Sequence, residues 1–93
     1  MADIIWGDVT NIVDGDTFDV HVTHHSKDNK ISYDNQERIR IAGIDTPEIP
    51  SASGLRAKHH LERHLLNKHV KLIIQARDVY RRLVCAVSLA VKN

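Results

Sequence analysis

Aromatic residues and cysteine are scarce in this sequence, and each shortage argues against a class of protein. The only aromatic residues are Trp6, Phe18, Tyr33 and Tyr80, which weakens the case for a surface that stacks successive bases of a single strand. The one cysteine, Cys85, excludes an internal disulfide. Because Cys85 lies in the apolar run RLVCAVSL, we expect a buried and unreactive thiol.

A strong excess of positive charge is also absent. Thirteen lysines and arginines stand against 12 acidic residues, which leaves a formal net charge of +1. A protein that holds nucleic acid by charge alone is much more basic than this. Any contact with phosphate groups must therefore come from a few basic residues and not from the overall charge.

The length and the apolar runs predict one small domain over residues 1–93. No run approaches the roughly 18 apolar residues that indicate a membrane span. The first residues, MADIIWGDV, do not form a secretory signal. We therefore expect a cytoplasmic protein as given, although a mature secreted form made with a new methionine would have the same sequence.

The apolar pattern predicts three strands, a helix and two further strands. Asp14-Gly15 indicates a hairpin turn, because both residue types tolerate positive φ. Ser51 or Ser53 is suited to cap the helix, and Asn67 is suited to end it in the left-handed conformation. The strands are predicted over 3–13, 17–23, 38–44, 69–76 and 83–91, and the helix over 51–67. This mainly β order is that of an OB-fold, a five-stranded Greek-key barrel with one α-helix between strands 3 and 4.

Four positions carry polar groups that local structure does not require. Asp16 follows a turn that would be complete with Asp14-Gly15, and Arg40 lies on the third predicted strand. The segment DTPE occupies residues 45–48, and Arg82 begins the last strand. If the ends of these strands converge on one side of the barrel, they form a site with three carboxylates and two guanidiniums.

Such a site has the chemistry for metal-assisted hydrolysis of a phosphodiester. Asp16 and Asp45 offer hard oxygen ligands for Ca²⁺ or Mg²⁺, and the carbonyl of Thr46 could complete the inner shell. Glu48 could act on a water beside the metal as general base. The two arginines can each bind a phosphate through a fork of N–H groups.

Several separated motifs resemble the staphylococcal nuclease (thermonuclease) family, in the order and at the spacing of that family. They are VDGDTF, RIRIAGIDTPE, the G..A...L spacing of Gly54, Ala57 and Leu61, VKLII and RDVYRRL. The resemblance runs through essentially the whole chain. It implies an OB-fold with a Ca²⁺-dependent nuclease site that acts on single-stranded DNA or RNA.

The resemblance also implies a metal site at specific positions. Asp16 and Asp45 correspond to Ca²⁺ ligands, and Thr46 corresponds to a ligand that binds through its carbonyl oxygen. Asp14 is similar to a family acid near the water shell of the metal.

The remaining implied residues would act on the substrate. Glu48 corresponds to the base or water-orienting carboxylate. Arg40 and Arg82 correspond to catalytic residues that bind the phosphate and the transition state. Tyr80 matches a position that contacts a nucleotide phosphate.

Three departures from the family pattern stand out. Arg81 occupies a position where glycine is usual, which could tilt the loop of Arg82 if the backbone needs positive φ there. Val79 replaces a residue that is often basic. The chain ends at Asn93, whereas full-length family members continue with two helices and a nucleotide-stacking tyrosine.

Two alternatives to an enzyme stay open. A module that binds nucleic acid or protein without cleaving would typically lose its acids, whereas Asp16, Asp45 and Glu48 are all present. An inactive fragment of a longer nuclease would expose apolar barrel surface and could form a homodimer to cover it. Otherwise we expect a monomer.

His60 and His64 lie four residues apart on the predicted helix, a spacing that could bind zinc. The segment HLERH does not have the H-E-x-x-H order, and no third ligand is apparent. We interpret these histidines as part of a solvated helix face.

Overall fold

The protein folds as a closed five-stranded barrel with one helix, in a computed structural model that describes residues 2–44 and 51–92. The elements are β1 (Asp3–Asp14), β2 (Thr17–His25), β3 (Gln36–Ile41), α1 (Ala52–Leu65), β4 (His69–Arg77) and β5 (Leu83–Leu89). Neighbouring strands follow the order β1-β2-β3-β5-β4, and they are antiparallel except for the parallel pair β3 and β5. The predicted OB-fold is confirmed.

Alternating side chains of the strands fill the barrel interior. In β1 every second residue from Asp3 to Val9 is buried, which is the period of a strand with one face inward. The largest fully buried side chains include Phe18, Ile5, Ile39, Leu72 and Leu83. Cys85 is also fully buried, and burial raises the pKa of its thiol to about 12. The prediction of a buried cysteine is confirmed.

The hairpin between β1 and β2 is present, but its turn lies one residue later than predicted. Asp14 pairs with Thr17, so the two connecting residues are Gly15 and Asp16. Positive φ occurs elsewhere in the described chain, at Gly43, Asn67 and Arg81. The turn is instead supported by the carboxylate of Asp14, which accepts a hydrogen bond from the backbone N–H of Asp16 at 3.2 Å.

Both ends of α1 are held by the residues that the sequence suggested. Ser51 is the N-cap, and its hydroxyl accepts a hydrogen bond from the N–H of Gly54 at 2.9 Å. Asn67 has a φ of 63° just after the helix, and its N–H donates to the carbonyl of Val9 at 3.1 Å. The helix is shorter than predicted at both ends. The described residues contain no helix that is long and apolar enough to cross a membrane.

The third strand differs most from its prediction. β3 begins at Gln36 and ends at Ile41, whereas the pattern predicted residues 38–44. The chain turns at Ala42 and Gly43, where Gly43 has a φ of 81°. This conformation cannot continue a strand, so β3 ends before it.

Candidate functional site

Two carboxylates meet at the turn between β1 and β2. Asp16 is buried, and its carboxylate accepts a hydrogen bond from the hydroxyl of Thr17 at 2.8 Å. Burial raises the pKa of Asp16, and the adjacent carboxyl group of Asp14 raises it further. Burial alone would also raise the pKa of Asp14, but hydrogen bonds from Asp16 and Thr17 and the charge of Arg82 hold it below its ordinary value.

This acidic turn, defined as Asp14 and Asp16, has the donor chemistry of a site for a hard divalent cation. A buried carboxylate beside a second carboxylate is unfavourable until a cation compensates the two charges. The predicted site residues Asp45, Thr46 and Glu48 lie outside the described residues. Within residues 2–44 and 51–92, no group of three or more acidic, histidine or cysteine side chains could hold a metal. Asp14 and Asp16 could therefore contribute ligands to a metal site only together with further groups.

Arg40 faces the acidic turn from the neighbouring strand. It pairs with Thr17 in the register between β2 and β3, and one of its terminal nitrogens lies 3.5 Å from Oδ2 of Asp16. Its other terminal nitrogen donates to the carbonyls of Ile41 and Ile44, at 2.8 and 2.9 Å. The guanidinium thus joins the acidic turn to the chain that leaves β3.

Arg82 is held at the start of β5 by a loop that Asp78 organises. Oδ1 of Asp78 accepts hydrogen bonds from the N–H groups of Tyr80 and Arg82, and Oδ2 accepts from Nε of Arg82 at 2.8 Å. The guanidinium carbon of Arg82 lies 5.2 Å from the ring centroid of Tyr80, which is exposed. The register pairs Leu83 with Ile39 and Val84 with Arg40, so this loop joins β5 beside the strand that carries Arg40.

Arg81, between Tyr80 and Arg82, adopts a left-handed conformation with a φ of 68°. The loop therefore has the backbone geometry that glycine favours, although a side chain is present. A non-glycine residue pays about 1 kcal/mol or more for this conformation. Arg81 therefore carries local backbone strain at the position where the family pattern has glycine.

Arg77, the last residue of β4, ties this loop to the rest of the barrel. One of its terminal nitrogens donates to Glu37 at 3.1 Å and to the carbonyl of Arg81 at 2.8 Å. The other donates to the carbonyl of Ser32 at 2.7 Å. The Glu37 side chain is only 7% exposed, and it also accepts from the N–H of Asp34 at 2.7 Å.

Sequence reasoning named Arg40 and Arg82 but missed the residues that position them. The segment RDVYRR was interpreted as a plain turn, without a role for Asp78 or Arg77. A local signal existed for Asp78, because aspartate readily accepts hydrogen bonds from N–H groups two or more residues later. Arg77 had no local signal, because its partners Glu37 and Ser32 lie 40 and 45 residues away in the chain.

Replacing Asp78 with asparagine should destabilise the protein in a pH-dependent way. Burial would raise the pKa of Asp78, but hydrogen bonds from the backbone and side chain of Arg82 and its charge hold it below 3.8. The carboxylate therefore stabilises the fold above its unfolded pKa, and this contribution is lost as the pH falls through the folded pKa. We expect Asp78→Asn to lower the free energy of unfolding by about 1 kcal/mol at neutral pH.

Urea unfolding of both proteins at neutral pH and near pH 3 checks this expectation. The difference in the free energy of unfolding between the wild type and Asp78→Asn should shrink at the lower pH. A difference that stays constant or grows would contradict the stabilising role assigned to the Asp78 carboxylate. Asp28→Asn, in an exposed loop, controls for the removal of a carboxylate elsewhere.

Most of the chain is similar in sequence to a known protein family and to several curated proteins. The family described as staphylococcal nuclease homologue matches residues 38–93. A probable endonuclease from Emericella nidulans is 31% identical over 89% of this chain and 37% of its own length. The micrococcal nuclease of Shigella flexneri is 33% identical over 87% of this chain and 41% of its own length. Protein ParB of Escherichia coli is 35% identical, over 87% of this chain and 40% of its own length.

The chain spans about two fifths of the length of these curated relatives. The family match begins at Arg38, two residues before Arg40, and continues through Arg82. It therefore includes both arginines of the site, residues 45–48 and the helix. Together with the closed five-stranded barrel, these matches show that the chain belongs to the staphylococcal nuclease family.

Proposed function

We propose that this protein is a Ca²⁺-dependent nuclease that hydrolyses phosphodiester bonds of single-stranded DNA or RNA. The observation that carries the proposal is the approach of Arg40 to the buried carboxylate of Asp16, at 3.5 Å, beside Asp14. A bound cation and the neighbouring guanidinium of Arg40 could each bind oxygens of the same phosphate group. The names of the relatives, two endonucleases or nucleases among them, support the same class of reaction.

The acidic turn would hold the metal together with residues that follow β3. Asp16 would be a direct ligand, with Asp45 and the carbonyl of Thr46 as the others, and Asp14 would lie near the water shell. When bound, Ca²⁺ would neutralise the phosphate and favour the attack of water on it. The lowered pKa of Asp14 means that this carboxyl group carries its charge at neutral pH, which further attracts a cation.

Glu48, Arg40 and Arg82 would carry the chemical step. Glu48 would orient the water and take its proton, and the water oxygen would attack phosphorus in line with the leaving 5′ oxygen. The bond from phosphorus to that oxygen would break, and the leaving oxygen would take a proton from solvent, which gives a 3′-phosphate and a 5′-hydroxyl. The two arginines would bind the phosphate oxygens more strongly as negative charge builds up on them.

Tyr80 would extend the substrate site along the nucleic acid. Its side chain is 76% exposed and lies against Arg82. A phenol beside a phosphate-binding guanidinium can donate a hydrogen bond to an adjacent phosphate. This position agrees with a contact to the nucleotide and does not require stacking on a base.

The proposal is tested by metal-dependent cleavage of a fluorescent single-stranded DNA and of the matching RNA. Purified protein should cleave with Ca²⁺ present and lose its activity with a chelator. The Glu48→Gln variant, prepared in the same way, should be slower by orders of magnitude, which also excludes a contaminating nuclease. Equal cleavage by this variant, or cleavage that the chelator leaves unchanged, would contradict the site assignment.

Absence of cleavage would decide between the two alternatives to an enzyme. A cooperative thermal unfolding transition and retained binding of the labelled strand would identify a non-cleaving module. A broad transition without binding would identify an inactive fragment of a longer nuclease.

A further inference from the structure

His60 and His64 face each other across one turn of α1. Their ring centroids lie 4.5 Å apart, and the ring planes are inclined at 57°. Both residues are exposed, and neither ring makes a hydrogen bond within the part of the chain that the structure describes. Their neighbour His59 differs, because its ring pairs with the carboxylate of Glu62 at 3.0 Å.

The distance between the rings matches that of two imidazoles bound to one metal ion. With about 2.1 Å between the metal and each nitrogen, the centroids lie roughly 4.5 Å apart for a right angle at the metal and roughly 5.2 Å for a tetrahedral angle. The observed 4.5 Å is nearer the first value, and small rotamer changes would point one nitrogen of each ring at a shared ion. Right angles occur in the square-planar and tetragonal geometries of Cu²⁺ and Ni²⁺.

We propose that His60 and His64 form a chelating site for a divalent transition metal that prefers nitrogen ligands, with Cu²⁺ or Ni²⁺ as the ions that fit best. Residues four apart on a helix project from the same face, so little reorganisation is needed to bring both rings onto one ion. The described residues offer no third histidine, cysteine or acidic ligand at this place. Water therefore completes the coordination, and the site stays open on one side.

This site differs in its chemistry from the acidic turn, although the two are connected. The histidine pair borders a largely apolar groove of about 420 Å³ that is also lined by Gly15 and Ile44. Gly15 directly precedes Asp16, so the groove runs from the pair toward the acidic turn. Imidazole nitrogens select copper, nickel or zinc, whereas carboxylates select calcium or magnesium. The two sites should accordingly bind different ions without competing.

Titration of the intact protein with Cu²⁺ alone, at about pH 7.5 where imidazoles are mostly neutral, tests the proposal. Calorimetry should show one strong site per chain, and the electron paramagnetic resonance spectrum should show two nitrogen ligands. His60→Ala and His64→Ala should each weaken binding by about tenfold or more, because either change leaves a single ligand without the chelate effect. Cu²⁺ should raise the melting temperature of the wild type but not of either variant.

His59→Ala on the same helix is the matched control, and it should bind Cu²⁺ like the wild type. Asp16→Asn should also leave Cu²⁺ binding unchanged, as should an excess of Ca²⁺. Undiminished Cu²⁺ binding in both His60→Ala and His64→Ala would overturn the proposal. So would an equal loss of binding in His59→Ala. None of these measurements depends on nuclease activity.

Discussion

An Arg82→Met variant should cleave single-stranded DNA about a hundredfold to a thousandfold more slowly than the wild type, the usual effect of removing one donor that stabilises transition-state charge. The structure holds Arg82 in place for the proposed role, because Asp78 fixes Nε at 2.8 Å and β5 runs beside the strand of Arg40. Methionine retains much of the apolar length but cannot bind phosphate. Single-turnover cleavage with excess protein measures the effect on the chemical step.

Two further variants separate the charge of Arg82 from the shape of its loop. Arg82→Lys keeps the positive charge but loses the fork of N–H groups, so its rate should lie between those of the wild type and Arg82→Met. Arg81→Gly, one residue earlier, should keep wild-type activity, because it relieves the strained φ of 68° without touching Arg82. A rate for Arg82→Met close to that of the wild type would remove Arg82 from the catalytic site.

The fold was predictable from sequence because its strands contain stretches that alternate between apolar and polar residues. Phe18 and Val20 are buried in β2, while Asp19 between them is only partly buried. This alternation is visible in the sequence without knowing which strands pair with β2. The turn was misplaced because two neighbouring residues, Gly15 and Asp16, can close a hairpin as well as Asp14 and Gly15 can. The end of β3 was missed because Ala42 and Ile44 keep the sequence apolar beyond the point where Gly43 bends the chain.

The candidate site was only partly predictable. Asp16 and Arg40 were named from their residue types, but their contact depends on the register that pairs Thr17 with Arg40. Closure of the whole barrel sets that register, and no short motif encodes it. The support of Arg82 by Arg77 and Glu37 was not predictable at all, because it joins β4, β3 and a loop that are distant in sequence.

The Arg77→Met variant should lower the free energy of unfolding by about 2–4 kcal/mol, which is a large part of the stability of a small domain. The change removes the cation beside the Glu37 carboxylate, which is 7% exposed. Among the described residues, this carboxylate would then keep its hydrogen bond from the N–H of Asp34. The Arg77 side chain is itself about one third exposed, so the expected effect is below that of a fully buried pair. Equilibrium unfolding in urea at neutral pH measures it.

A double-mutant cycle with Glu37→Gln separates the ion pair from the other contacts of Arg77. If an unpaired buried charge causes most of the loss, the double variant should be more stable than Arg77→Met, because glutamine carries no charge to desolvate. If the hydrogen bonds to Ser32 and Arg81 dominate, the double variant should be no more stable than Arg77→Met. Its rate of DNA cleavage should then fall as well, because the loop that carries Arg82 is less firmly held. Arg38→Met removes an exposed ion pair with Asp19 from the same strand as Glu37, and it should change the stability by less than about 1 kcal/mol. A larger loss from this control than from Arg77→Met would contradict the structural role assigned to the buried pair.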